Sequence, residues 1–201
     1  MGYHRAGFDP VGVDIRPQPR YPFPFVQAEA LDYLRSLTWV ELMQYAAIHA
    51  SPPCQAYSVS TRDRDSHPDL VDATRAALEE TCLPWIMENV PGAPMPHAVT
   101  VCGSGLGLKV RRHRLFESSV ALLVPPCVHV SQGQPVGVYG GGTGRGQTRG
   151  RKAMSADERR DVMGMPWATG AECAQAVHPA YTELLGSQML SPPSLTEPPN
   201  V

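Results

Sequence analysis

Blocks of consecutive apolar residues alternate, in the first half of the chain, with stretches whose apolar residues recur at helical spacing. VGVDI (residues 11–15) predicts a short buried strand, followed by the Pro-rich turn RPQPRYPFP. In VQAEALDYLRSL (26–37), Ala30, Leu31, Leu34 and Leu37 fall near a helical period and predict a helix. AAIHA (46–50) predicts the next strand, which ends at SPPCQAYS. HPDLVDATRAALEETC (67–82) predicts a helix with Ser66 as cap and Pro68 in its first turn. LPWIMENV (83–90) predicts a strand that closes on two polar residues before Pro-Gly. Strand, helix, strand, helix, strand implies an α/β fold with a mostly parallel sheet of doubly wound type.

After residue 98 the pattern changes. AVTVCGSGLGLKVRRHRLFESS predicts short strands around a glycine-rich turn, and residues 124–152 are rich in Gly, Pro and Arg with no helical period. SADERRDVMGM (155–165) predicts a helix opened by Ser155, with Glu158 completing a capping box. AYTELLGSQML (180–190) predicts a last helix ahead of the Pro-rich tail SPPSLTEPPNV. The organisation expected is a core over 1–117, a short insert over 118–154, a return to the core over 155–190 and a disordered tail over 191–201.

Composition narrows the class. The 201 residues are 42% hydrophobic and 18% charged with a net charge of −2, so nucleic-acid binding would need a local basic patch. Five cysteines (Cys54, Cys82, Cys102, Cys127, Cys173), an odd number without tight spacing, point to a reducing cytoplasm rather than a disulfide framework. No run approaches the roughly 20 apolar residues of a membrane span. The 21 prolines and 18 glycines favour tight loops over long helices.

Three features carry candidate chemistry. Cys54 stands behind two prolines at the end of one strand, and Glu88-Asn89 ends the next. Neighbouring strand ends of a parallel sheet share one crevice, where open α/β sheets place their sites. The third feature is Arg111-Arg112-His113-Arg114, in which an extended backbone would put Arg112 and Arg114 on one side. Each has an ordinary explanation of its own: a packed thiol under a turn, polar strand ends, a solvated basic run. Their coincidence is less ordinary.

These residues resemble the cytosine-C5 DNA methyltransferase family, in particular its compact phage and prophage-type members. SPPCQAYS resembles the family's Pro-Cys-Gln nucleophile loop, ENV (88–90) its Glu-Asn-Val motif and VRRHRLF (110–116) its Gln-x-Arg-x-Arg motif. VGVDI resembles the strand whose terminal acid holds the cofactor ribose, AEALDYL the segment whose acid meets the adenine, and AVHPAYTELLGSQML the C-terminal motif that packs beside the cofactor. The order of these pieces agrees over nearly the whole chain.

The resemblance implies a Rossmann-like, S-adenosylmethionine-dependent methyltransferase fold with a very small Gly/Arg-rich recognition insert. It implies methyl transfer to carbon 5 of a flipped-out cytosine in double-stranded DNA, by a cytoplasmic single-chain enzyme that needs no obligatory protein partner and acts as a monomer. Cys54 would add to carbon 6 and activate carbon 5. Glu88 would bind N3 and the exocyclic amine in protonated form, while Arg114, with Arg112 beside it, would hold O2 and the adjacent phosphate. Asp14, Ile15, Glu29, Ala30, Pro52 and Tyr181 are the implied cofactor contacts. Pro53, Gln55, Ser58, Asn89 and Val90 are the implied substrate contacts, with Arg149 and Arg151 (and Arg145 and Lys152 near them) suited to phosphate.

The sequence also departs from the family. The family opens with a strand and a loop of the approximate form Phe-x-Gly-x-Gly-Gly, whereas this sequence starts at MGYHRAGF, past that point. A sheet short of one central strand and weakened cofactor binding are the expectations, and a catalytically weak DNA-binding relic is the alternative function; the same chemistry on RNA is another. Val110 stands where the family usually has Gln. Cys127-x-His129 offers two zinc ligands but no second pair follows at a metal-site spacing, so no metal is expected. Cys82 and Cys173 are expected to be structural. Glycines 140–142 and 144 lack the Lys-Ser/Thr ending of a phosphate loop, and a zinc deaminase is set aside because neither His-x-Glu nor Pro-Cys-x-x-Cys occurs.

Overall fold

The computed structural model describes residues 1–59, 61–138 and 154–190. In chain order its elements are α1 (Gly2–Arg5), β1 (Gly12–Asp14), β2 (Phe25–Gln27), α2 (Ala30–Ser36), α3 (Trp39–Leu42), β3 (Ile48–Ala50), α4 (Val71–Glu80), β4 (Trp85–Asn89), β5 (Val99–Val101), β6 (Arg114–Ser118), α5 (His129–Gln132), α6 (Ala156–Met163), α7 (Gly170–Gln175) and α8 (Pro179–Leu190). A 3₁₀ turn at Gly103–Leu106 follows β5. The α/β class expected from the sequence is met.

The strands form two sheets. β1 and β2 pair in parallel, and β3-β4-β6-β5 make a four-stranded sheet in which β3 and β4 are parallel and β6 runs antiparallel to both β4 and β5. The expectation of one mostly parallel sheet is corrected on this point: among the described residues no strand joins β1 to β3, and the strands after residue 98 return antiparallel because no helix carries the chain back between β5 and β6.

All five residues of β4 are buried, the mark of a strand covered on both faces. Trp85 and Met87 face a core with Val71 and Leu78 of α4, together with Ala93 and Met95. Ile86 points the other way, into a second core with Val101, Phe116, Tyr181 and Leu185, so that α8 covers that face. A third cluster, Val110, Val138, Met163, Ala168 and Cys173, binds α6 and α7 to the chain ahead of β6. α1 lies against α8 so closely that a Cβ on Gly2 would stand 2.0 Å from Thr182 Oγ1, leaving room for glycine alone.

Local chemistry sets the helix boundaries. Ser155 and Glu158 form the predicted capping box of α6, and Gly164 ends that helix at φ +60°, where glycine adopts the left-handed conformation without a Cβ clash. The helix predicted over 26–37 is corrected: residues 25–27 form β2, Glu29 caps, and the helix starts at Ala30. Pairing of Val26 with Val13 across the β1–β2 ladder outweighs helical spacing there. The helix predicted from residue 67 begins at Val71, whose amide donates to Asp69 Oδ1, while Ser66 donates to the Asp63 carbonyl instead of capping. α8 follows its prediction within a residue, and no described helix is long and apolar enough to cross a membrane.

Candidate active site

Parallel pairing of β3 with β4, with Ala50 opposite Met87, brings the residues just after β3 level with the last two residues of β4. Ser51 is therefore brought level with Glu88, where its hydroxyl favours the charged form of that carboxylate. One step along, the Asn89 amide donates to the Pro52 carbonyl at 3.2 Å, while Asn89 Oδ1 accepts from the Val90 amide at 2.8 Å. Pro52 and Asn89 are both buried, so this bond fixes the start of the Cys54 loop to the strand that carries Glu88. The loop then turns on Cys54 itself, whose carbonyl accepts from the Tyr57 and Ser58 amides at 3.1 and 2.9 Å. Cys54 is half-buried, Pro53 and Gln55 are exposed, and Ser58 is half-buried.

Glu88 shares the Ile86 face of β4, and Arg114 lies diagonally across the antiparallel ladder from it, since Glu88 is opposite Phe116. Arg114 Nε meets Glu88 Oε1 at 2.8 Å. Burial pushes the Glu88 carboxyl above its ordinary range, and Arg114, Ser51 and Arg112 only partly counter it. A carboxyl in that state holds its proton nearer to neutral pH than a solvated glutamate does.

Arg112 departs from its expected place beside Arg114. Its φ of +26° takes the backbone out of the extended form, so period-two alternation fails between 112 and 114. The Arg112 guanidinium donates to the carbonyls of Cys173 and Ala174 at 3.0 and 2.8 Å, tying the end of α7 to the core. Tyr181, expected at the cofactor, is buried instead, and its hydroxyl donates to the Arg112 and Arg111 carbonyls at 2.8 and 3.3 Å. It pins the same turn.

A polar chain that sequence reading missed leads to Glu88 from behind. The Tyr3 hydroxyl lies 2.7 Å from His49 Nδ1, and His49 Nε2 lies 3.1 Å from Ser51 Oγ. Burial lowers the His49 pKa to about 4, which keeps its ring neutral at neutral pH. The signal was present: His49 and Ser51 are alternate residues of one strand face, and the parallel register carries that face to Glu88.

The expected cofactor acids stand at the carboxyl ends of the adjacent strands β1 and β2. Asp14 accepts from the Arg16 amide at 2.8 Å and from Gln18 Nε2 at 3.1 Å. It lines an open cleft of about 340 Å³ walled by Tyr21, Phe25, Met165 and Trp167, and by the ion pair of Arg20 with Glu172 at 2.7 Å. Glu29 lies outside this lining and caps α2 by accepting from the Asp32 amide at 2.8 Å. Ile15 and Ala30 are exposed and Val90 is half-buried. Arg145, Arg149, Arg151 and Lys152 lie outside the described residues.

Away from this site, Cys102, His113, Cys127 and His129 converge, although sequence spacing gave no second pair of ligands for Cys127 and His129.

No family model and no curated protein matches the sequence. Among solved structures, a triple mutant of Spodoptera frugiperda DNMT2 is similar at a TM-score of 0.40 and 16% identity, over 68% of this chain and 55% of that one. The chain thus spans little more than half of that protein's length.

Proposed function

We propose that the chain carries the nucleophile, acid and arginine of an S-adenosylmethionine-dependent cytosine-C5 methyltransferase, acting on DNA. The observation that carries this reading is the joint placement of Cys54, Glu88 and Arg114: a thiol loop is bonded through Pro52 to Asn89, and the adjoining Glu88 is buried against Arg114.

The chemistry asked of each residue follows from its surroundings. Cys54, half-buried on a loop stiffened by two prolines, attacks carbon 6 of the ring as the thiolate. Glu88, held above the ordinary carboxyl range by burial, donates its proton toward N3 and offsets charge developing on the ring. Arg114 keeps the Glu88 carboxyl oriented and offers its remaining N–H groups to O2. Arg112 takes a positioning role, since its guanidinium serves the α7 carbonyls.

The cleft beside Asp14 combines aromatic walls with a carboxylate at a strand's carboxyl end, a combination that fits the nucleoside half of S-adenosylmethionine. Asp14 would hold the ribose and Glu29 would lie near the adenine, and the bound cofactor supplies an electrophilic methyl group.

The test is covalent trapping on DNA containing 5-fluorocytosine, run on this chain and on a version extended upstream by the family's opening strand and Gly-rich loop. The expected result is an adduct that needs S-adenosylmethionine and disappears in Cys54→Ser. No adduct from either version removes the reading and leaves Cys54 a packed thiol.

A further inference from the structure

We propose that Cys102, His113, Cys127 and His129 form a structural zinc site that clamps the segment after β6 to the core. The proposal is independent of the methyltransferase reading. The four ligand atoms all lie within 4.8 Å of one another. Cys102 Sγ is 3.4 Å from His129 Nε2, and Cys127 Sγ is 3.4 Å from His113 Nε2. Around a tetrahedral zinc, with Zn–S near 2.3 Å and Zn–N near 2.0–2.1 Å, ligand atoms stand about 3.3–3.8 Å apart. The observed spread therefore closes on an ion with shifts of about 1 Å or less, within reach of side-chain rotation.

Three separate segments supply the ligands. Cys102 follows β5, His113 immediately precedes β6, and Cys127 and His129 stand at the head of α5. The surroundings hold them in place without metal. Ser104 Oγ lies 3.1 Å from Cys102 Sγ and accepts from the Val128 amide at 3.1 Å. Arg111 Nε donates to Gln132 Oε1 at 3.0 Å, and Gln132 Nε2 donates to the Leu108 and Val110 carbonyls at 2.9 and 3.0 Å. Outer contacts of this kind orient metal ligands. Two thiolates with two imidazoles select zinc among the common divalent ions, and four protein ligands leave no open position, which makes the centre structural rather than catalytic.

Its consequence lies next door. The His113 carbonyl accepts from Arg114 Nη1 at 3.0 Å, so a metal held by His113 also fixes the peptide that presents Arg114 to Glu88.

The experiment uses the full chain, stripped with a chelator and titrated with Co²⁺ under reducing conditions, with X-ray absorption on the zinc-loaded form. The expected outcome is one metal per chain, a tetrahedral cobalt ligand field with thiolate-to-metal charge transfer, and a zinc shell of two sulfurs and two nitrogens. Cys127 is exposed, so Cys127→Ser should fold while weakening metal binding about tenfold or more; Cys82→Ser, at a remote exposed thiol, should match the wild type. A six-coordinate spectrum, a zinc shell without sulfur, no stoichiometric metal, or an unchanged spectrum in both Cys127→Ser and His129→Asn would overturn the proposal.

Discussion

The side-chain amide of Asn89 donates to the backbone carbonyl of Pro52 across 3.2 Å, joining the strand that carries Glu88 to the loop that carries Cys54. Both partners are buried, so neither can exchange the bond for water.

Asn89→Ala should therefore cost about 1–3 kcal/mol, since the Pro52 carbonyl is left buried and the Val90 amide also loses its acceptor. Denaturant unfolding measures the loss. Alkylation of Cys54 should quicken as its loop loosens, while trapping on fluorinated DNA falls by up to about a hundredfold through misplacement of the thiol. Unchanged alkylation would show that the loop is held by other contacts.

Glu88 gives a pH signature of known sign. Its folded-state pKa is raised by burial, so its contribution to stability is fully present below the ordinary glutamate value and is lost as pH rises through the folded value. The unfolding free energy of the wild type relative to Glu88→Gln should fall over that window and level off above it. Measured on both proteins across acid to neutral pH, a difference that rises instead would show that Arg114 outweighs burial.

Arg112 and Arg114 should separate cleanly despite standing two residues apart. Arg114→Ala leaves Glu88 buried without its ion-pair partner, at a cost of about 3–5 kcal/mol, and pushes the Glu88 carboxyl further up. Arg112→Ala removes the donors to the Cys173 and Ala174 carbonyls, and amide exchange should quicken across α7. Equal protection of α7 in the two variants would contradict this division of labour.

Asp14 and Glu29 should also part company. Asp14→Ala should abolish S-adenosylmethionine binding, with a smaller effect on stability. Glu29→Ala should cost about 1 kcal/mol through the lost cap of α2 even where no cofactor is present. Calorimetry and thermal unfolding together distinguish the two; tight binding that survives Asp14→Ala would remove Asp14 from the cofactor assignment.

What the sequence determined by itself was largely local. The capping box of Ser155 and Glu158 lies within one turn, and the apolar run through β4 dictates burial on both faces, so α6 and β4 were legible in residue order. The α/β alternation followed from the same periodicities, as did the placement of Cys54 and Glu88 at neighbouring strand ends. Tertiary structure decided what depends on partners distant in sequence. Strand pairing with Val13 claimed Val26 from the predicted helix, and the turn at Arg112, pinned by the Tyr181 hydroxyl, separated two arginines that an extended strand would have aligned. Cys102 and His129, 27 positions apart, meet at 3.4 Å because β5 and the start of α5 come together in the folded chain. Periodicity reports which face a residue occupies within its own element. It carries no information about which faces meet, because that is set by packing of the whole chain.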